Sequence, residues 1–265
     1  MSATRNVTSP SSGLERPLTA RSVMLSLLLG RASMSAPVAL LVRWCGLFGI
    51  PEGTARVALT RAVAMGELRA DDGRYRIVGR LAERKFEQDV ALEPGVAGGP
   101  WDGTWKLALV EPARRSAHDR GAFRMAAARL HLVELREGVW GRPDNLGGRS
   151  LSPASEQVVA VQCRWWTGAR PPADERTLVA DLYRTVEASA RGRELLDVLR
   201  QATANLGDAA TLADAFVVGA AAAQFLRRDP LLPAELLPDD WPAAELRDAY
   251  AAYRRSFGAA VARWR

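Results

Sequence analysis

At 265 residues and 28.7 kDa, with 48% hydrophobic and 25% charged residues, the chain exceeds one average domain and can bury a proper core, which excludes a disordered or fibrous protein. No run of eighteen apolar residues occurs and the arginine-bearing N-terminus has no continuous signal-peptide core, so neither membrane nor secretion is expected and the predicted location is cytoplasmic. The formal charge of +6 is unevenly placed, because residues 1–90 hold thirteen Lys and Arg against eight Asp and Glu, a surplus that suits a polyanionic partner in that third.

Residues 1–17, rich in Ser, Thr and Pro, are expected to form a disordered tail. The stretch 18–80 then shows three helical patterns. In the first, Thr19 is a candidate cap, Ala20, Val23, Met24, Leu27 and Leu28 repeat at helical spacing, and Gly30 supplies the stop. The second is predicted from Ser35, with Pro37 in its first turn and Val38, Leu41, Val42 and Cys45 inward. A short link, Leu47 to Pro51, leads to a third helix over about 51–65, whose Ala55, Ala58, Leu59, Ala62 and Val63 form the core stripe.

The opposite face of that third helix carries Gly53, Val57, Thr60, Arg61 and Ala64, with Arg56 at its edge. It is short and nearly free of acids, and its two guanidiniums can offer forked donors to guanine edges or phosphates. Residues 67–78 follow, alternating around Asp72-Gly73, a dipeptide suited to the positive backbone angles of a tight hairpin. Tyr75 and Ile77 are expected inward, Arg74 and Arg76 outward. A helix backed by a basic hairpin is the layout of a winged helix-turn-helix, with base reading by Arg56 and Arg61, a phosphate or base contact by Thr60, and phosphate contacts by Arg74, Arg76 and Arg43.

Residues 81–100 read as a charged connecting helix followed by a Gly/Pro linker. In 101–173 the patterns are a strand over 104–110, a helix around 118–130, strand-like 132–140 and a strand over 157–166, the opening of a ferredoxin-like middle domain. From 174 to 265 the chain is predicted to be a helical C-terminal domain, interrupted at 229–242 by four prolines that require a rigid connector packed on the bundle or on a partner. The fold class is therefore α+β. Cys45 and Cys163 are expected as buried free thiols, and His118 and His131 as surface or interface residues. No metal-ligand spacing, nucleophile elbow or phosphate loop occurs, so neither metal nor cofactor is expected and the chain does not read as an enzyme.

The order of segments over roughly 18–263 resembles the PaaX-type transcriptional repressors. The resemblance is carried by Leu18-Thr19-Ala20-Arg21-Ser22, by Phe48-Gly49-Ile50, and by Arg56-Val57-Ala58-Leu59-Thr60-Arg61. Further along it is carried by Trp101-Asp102-Gly103, by Gly138-Val139-Trp140-Gly141-Arg142-Pro143-Asp144-Asn145-Leu146, and by Arg228-Asp229-Pro230-Leu231-Leu232-Pro233 with Leu236-Leu237-Pro238 and Trp241-Pro242. It implies a winged helix-turn-helix, a ferredoxin-like middle domain and a helical C-terminal domain. It also implies a homodimer on double-stranded operator DNA that represses a catabolic operon until an acyl-CoA such as phenylacetyl-CoA releases it. By position in the matching motif, DNA contact falls to Arg56, Thr60 and Arg61.

Trp140, Arg142, Arg164, Trp165 and Trp166 are candidates for a pocket holding an aromatic acyl group and anionic phosphates, against the alternative that the tryptophans are core. Two rival functions remain at this point: a metal-dependent nuclease of the middle domain, and a scaffold that binds protein through its helical end.

Overall fold

The structure is a computed structural model describing residues 19–31, 33–79, 81–82, 85, 89, 92, 101–111, 115–171 and 174–264. The predicted N-terminal tail and nearly all of the predicted connecting helix and linker lie outside the described residues. Contacts sort the chain into two units, one of 1–83 with 202–221 and 254–265, the other of 84–201 with 222–253.

The first unit begins with α1 (Ala20–Gly30), whose N-terminus is closed by a reciprocal Thr19–Ser22 capping box. Then come β1 (Ser35–Pro37), α2 (Val38–Gly46), α3 (Glu52–Ala64), β2 (Leu68–Asp71) and β3 (Arg74–Ile77). The strands form an antiparallel sheet in the order β1-β3-β2. Residues 35–37 are thus a strand and not the first turn of a helix. Pro37, with no amide hydrogen, ends the strand and caps α2 at φ −63°. At the tip of the hairpin Asp72 and Gly73 take φ values of +43° and +67°, the doubly left-handed turn expected of that dipeptide.

Ala55, Leu59 and Ala62 bury the inner face of α3. Val63, predicted inward, is 38% exposed, while Ala62 in the same turn is buried, so the core stripe is narrower than its pattern suggests and position 63 lies on its flank. The centre of the unit is Trp44, which is fully buried. Its ring meets Phe48, Phe216, Phe257 and Trp264 edge-on at centroid distances of 5.8, 5.3, 5.7 and 5.8 Å. Three of these partners come from the far end of the sequence, so the core of the N-terminal helices is completed by C-terminal chain.

The second unit holds β4 (Trp105–Val110), α4 (Ala117–Arg129), β5 (Val133–Arg136), β6 (Val139–Pro143), α5 (Pro153–Gln162) and β7 (Cys163–Ala169). All pairings are antiparallel, in the order β5-β6-β4-β7. The segment predicted as a strand over 157–166 is divided: Ser152 caps α5, and the strand begins only at Cys163. A continuous apolar run does not separate helix from strand by itself, and the Ser-Pro start decides it. Ala108 faces a core of Phe123, Ala126 and Ala127 from α4 and Val159 from α5. Trp105 and Leu107 face the other way. A bulge between them lets Trp105 pair with Ala169 while Leu107 pairs with Trp166.

The remaining helices are α6 (Glu175–Tyr183), α7 (Thr185–Ala204), α8 (Ala209–Arg228) and α9 (Ala243–Arg263), with a 3₁₀ turn at Ala234–Leu236. Residues 210–228 of α8 are long and apolar enough to cross a membrane by composition alone. Within the first unit, however, that helix buries Leu212 and Phe216 in the protein core. In the second unit Leu232, Leu236 and Leu237 of the proline-rich connector pack with Trp105 and with Val179 of α6. Gly192 on α7 allows this close approach, since a Cβ there would stand 2.5 Å from Pro242 and 2.6 Å from Phe225. Cys45 and Cys163 are buried and free, and burial pushes each thiol up to about 11.

Replacing Trp44 by alanine removes the hub of the first unit. The expected loss is about 3–5 kcal/mol of unfolding free energy in urea titration, the range for large aromatic truncations in a core. A loss below about 1 kcal/mol would show that the cluster is not the centre of the unit.

Candidate nucleic-acid interface

The outward face of α3 is as open as its pattern predicts. Gly53, Arg56, Val57, Thr60, Arg61 and Ala64 are all exposed. Arg56 pairs with Glu52 one turn earlier, at 2.7 Å, and both side chains are more than half exposed. Such an i,i+4 pair contributes only a few tenths of a kcal/mol, roughly 0.3–0.5, so it can open toward a phosphate or base at little cost. The Thr60 hydroxyl donates to the Arg56 carbonyl at 3.2 Å, which holds the side chain along the helix. The Arg61 side chain has no ion pair or hydrogen bond among the described residues. It projects beside a hairpin whose Arg74 and Arg76 are both exposed, while Ile77 is buried and Tyr75 half-buried on the inner face.

Arg43 is placed otherwise. Its Nη2 donates to the Trp264 carbonyl at 2.6 Å and its guanidinium lies 4.3 Å from the centre of the Trp264 ring. The cation is tied to the end of α9 by a hydrogen bond and a cation–π contact, so it is not a free phosphate ligand.

Two groups escaped the sequence reading. Trp44 stands three residues after Leu41, so helical spacing alone could have put it in the core. Arg69 is exposed on β2 directly across from Arg76. It shares the hairpin's period-two alternation with Glu67 and Asp71, the signal that would have found it.

Of the five residues proposed as a ligand pocket, Trp140 and Trp165 flank Ala108 on one face of the sheet, while Arg164 and Trp166 pair with Leu109 and Leu107 of the opposite face. Trp140 packs edge-on against Phe123 at 5.3 Å. Trp165 lies under the Lys106 ammonium, 4.4 Å away, on the same side of the sheet. Trp166 is 60% exposed, and Arg164 is an exposed partner of Glu111.

Arg142 is buried and spent. Its guanidinium donates to the carbonyls of Leu130 (3.2 Å), Pro143 (3.2 Å), Pro230 (3.2 Å) and Leu231 (2.9 Å), and to Asn145 Oδ1 (3.1 Å). Asn145 Nδ2 also donates to the Leu231 carbonyl, at 2.9 Å. Two motifs separated by some 80 residues are therefore one structural lock. Leu231 is held at φ +52°, and nearby Asp229 forms a buried ion pair with Arg247.

His131 closes this polar core and is not a surface residue. Part of the residue remains accessible at its φ +53° turn, but the imidazole is enclosed. Burial first, then the Arg142 and Arg247 guanidiniums, push its pKa down from 6.5 to about 3. Tyr183 donates its hydroxyl to the His131 carbonyl at 3.0 Å. Among the described residues no group of three or more His, Cys, Asp or Glu converges as a metal site.

Two outcomes follow from this core. The unfolded chain takes up a proton on His131 below about 6.5 while the folded chain refuses it until about 3, so acidification through that window lowers stability. His131→Asn should flatten that part of the pH dependence in thermal melts, and an unchanged slope would refute the enclosed imidazole. Asp229→Ala should cost about 3–5 kcal/mol in chemical denaturation, because it removes the carboxylate that pairs with a buried guanidinium.

Comparisons with known proteins agree with this architecture. Residues 19–85 match the PaaX-like protein family and residues 175–264 the PaaX-like protein C-terminal domain. No curated protein matches the chain. Among solved structures, the uncharacterized protein Rv0674 from Mycobacterium tuberculosis is 39% identical with a TM-score of 0.69, the match covering 92% of this chain and 97% of that one. With both family regions in order and a relative so similar over nearly its whole length, this chain belongs to the PaaX-like family, a family of transcriptional regulators.

Proposed function

We propose that the chain is a repressor of a catabolic operon, a cytoplasmic homodimer that reads double-stranded operator DNA through a winged helix-turn-helix and lets go when an acyl-CoA binds. The observation that carries the reading is the open face of α3, with the Arg61 side chain unpaired, Thr60 beside it and Arg56 one turn before Thr60, followed in the chain by an arginine-bearing hairpin. The β1-β3-β2 sheet following α1, α2 and α3 fits a winged helix, in which α3 enters the major groove and the β2–β3 hairpin grips the adjacent backbone. In the second unit, the β5-β6-β4-β7 order with α4 and α5 on one face fits a ferredoxin-like middle domain.

A two-fold dimer would set two α3 helices into major grooves about 34–36 Å apart and would favour a near-palindromic site. Repression then depends on an effector that binds one dimer geometry better than the other, since a ligand indifferent to the two shifts nothing. The effector reading is supported by family resemblance. Arg142, buried with its guanidinium on four backbone carbonyls and Asn145, is left out of this reading of the effector site.

Genomic fragments recovered with the purified protein should share a near-palindrome. On the recovered site, Arg61→Ala should weaken binding by about 1–3 kcal/mol if its guanidinium grips a guanine in two places. Equal binding by the variant and the parent in a shift assay would remove Arg61 from the reading surface. Addition of aryl-acyl-CoA thioesters should release the fragment, whereas silence at millimolar concentration would count against that effector class.

A further inference from the structure

The outer face of the hairpin holds more positive charge than the fold neutralises, and the excess falls on one pair of residues. Along β2 and the residue before it, Glu67, Arg69 and Asp71 alternate toward the same side. Glu67 is already engaged: Arg21 donates to its two carboxylate oxygens, Nε to Oε2 at 2.8 Å and Nη2 to Oε1. Asp71 stands directly across from Arg74. Arg69 is thereby left across from Arg76, two guanidiniums facing each other on an antiparallel pair, an arrangement that destabilises a hairpin by itself.

The surroundings of Arg76 add to the surplus. Its strand, β3, is the central one, and Ser35 of β1 is its partner on the other flank. The carbonyl of Ser35 accepts from Arg31 Nε at 3.0 Å, which anchors a third guanidinium on that strand. Among the described residues neither Arg69 nor Arg76 has an acidic partner.

We propose that Arg69 and Arg76 form a clamp for a backbone phosphate of duplex DNA, with Arg74, offset by Asp71, contributing little. A phosphate seated between the two forks replaces their repulsion with charge-assisted hydrogen bonds, so the strain built into the free hairpin is released on docking. Duplex DNA is the occupant that fits, because its phosphates recur along a groove edge that a projecting hairpin can reach while α3 occupies the groove. The clamp rests on the DNA-reading function above.

The test uses the full-length protein and a fluorescein-labelled mixed-sequence duplex, with binding followed by anisotropy across a salt series. Arg69→Ala and Arg76→Ala should each reduce the slope of log affinity against log salt by about 0.9, the value for one phosphate contact, while Arg74→Ala leaves it unchanged. Arg69→Gln, melted without DNA at low salt, should be at least as stable as the parent, and any gain should vanish near 1 M salt where screening is complete. If the parent fails to bind the duplex even at low salt, the DNA-reading function falls and the clamp with it. If the parent binds but Arg69→Ala and Arg76→Ala keep its slope, the clamp alone is overturned. A lower melting temperature for Arg69→Gln would make Arg69 a structural residue and also overturn it.

Discussion

The packing of Trp44 is the contact on which the placement of α3 and its open, arginine-bearing face depends. A helix of thirteen residues with only Ala55, Leu59 and Ala62 fully buried cannot hold its own position, because three small or medium side chains remove little apolar surface from water. α3 stands where it does because α1 and α2 form a platform behind it, and that platform is organised by one indole surrounded by four aromatic rings. Edge-on aromatic pairs each contribute about 0.5–1.5 kcal/mol beyond the area they bury. Phe216, Phe257 and Trp264 come from α8 and α9, so the N-terminal helices share their core with chain more than 150 residues away in sequence.

The second unit is held by a different kind of interaction. Its centre is polar, with the Arg142 guanidinium gathering four backbone carbonyls and an amide oxygen, and the Asp229–Arg247 pair beside it. A connector with four prolines has few amide donors of its own, and its carbonyls need partners once buried. Arg142 supplies them. Burial first, and then the Arg142 and Arg247 guanidiniums, keep His131 neutral. Charge in this protein is therefore disposed in two ways, sealed inward where it fixes a proline-rich segment and left outward on α3 and the hairpin.

Several features were legible from residue order because their causes are local. The Thr19 cap, the α3 stripe, the Asp72-Gly73 turn and the outward Arg74 and Arg76 each depend on neighbours within a few positions. Failures arose where a neighbour across space decides. Residues 35–37 became a strand because β3 offers a partner, and the 157–166 run split because an N-cap competes with an apolar pattern. Arg43, read as a phosphate contact, and Arg142, read as a pocket residue, are both engaged by distant carbonyls. Arg69 was overlooked because its significance is a pairing register, and a register exists only once two strands meet.

The sequence by itself determined the fold class, the extent of α3 and of the hairpin after it, and the family, since these follow from periodicity, turn chemistry and ordered motifs. Tertiary structure alone decided which arginines are free. A guanidinium carries the same charge everywhere along a chain, and only the carbonyls, carboxylates and rings that folding brings beside it determine whether that charge is spent inside or remains available to a ligand.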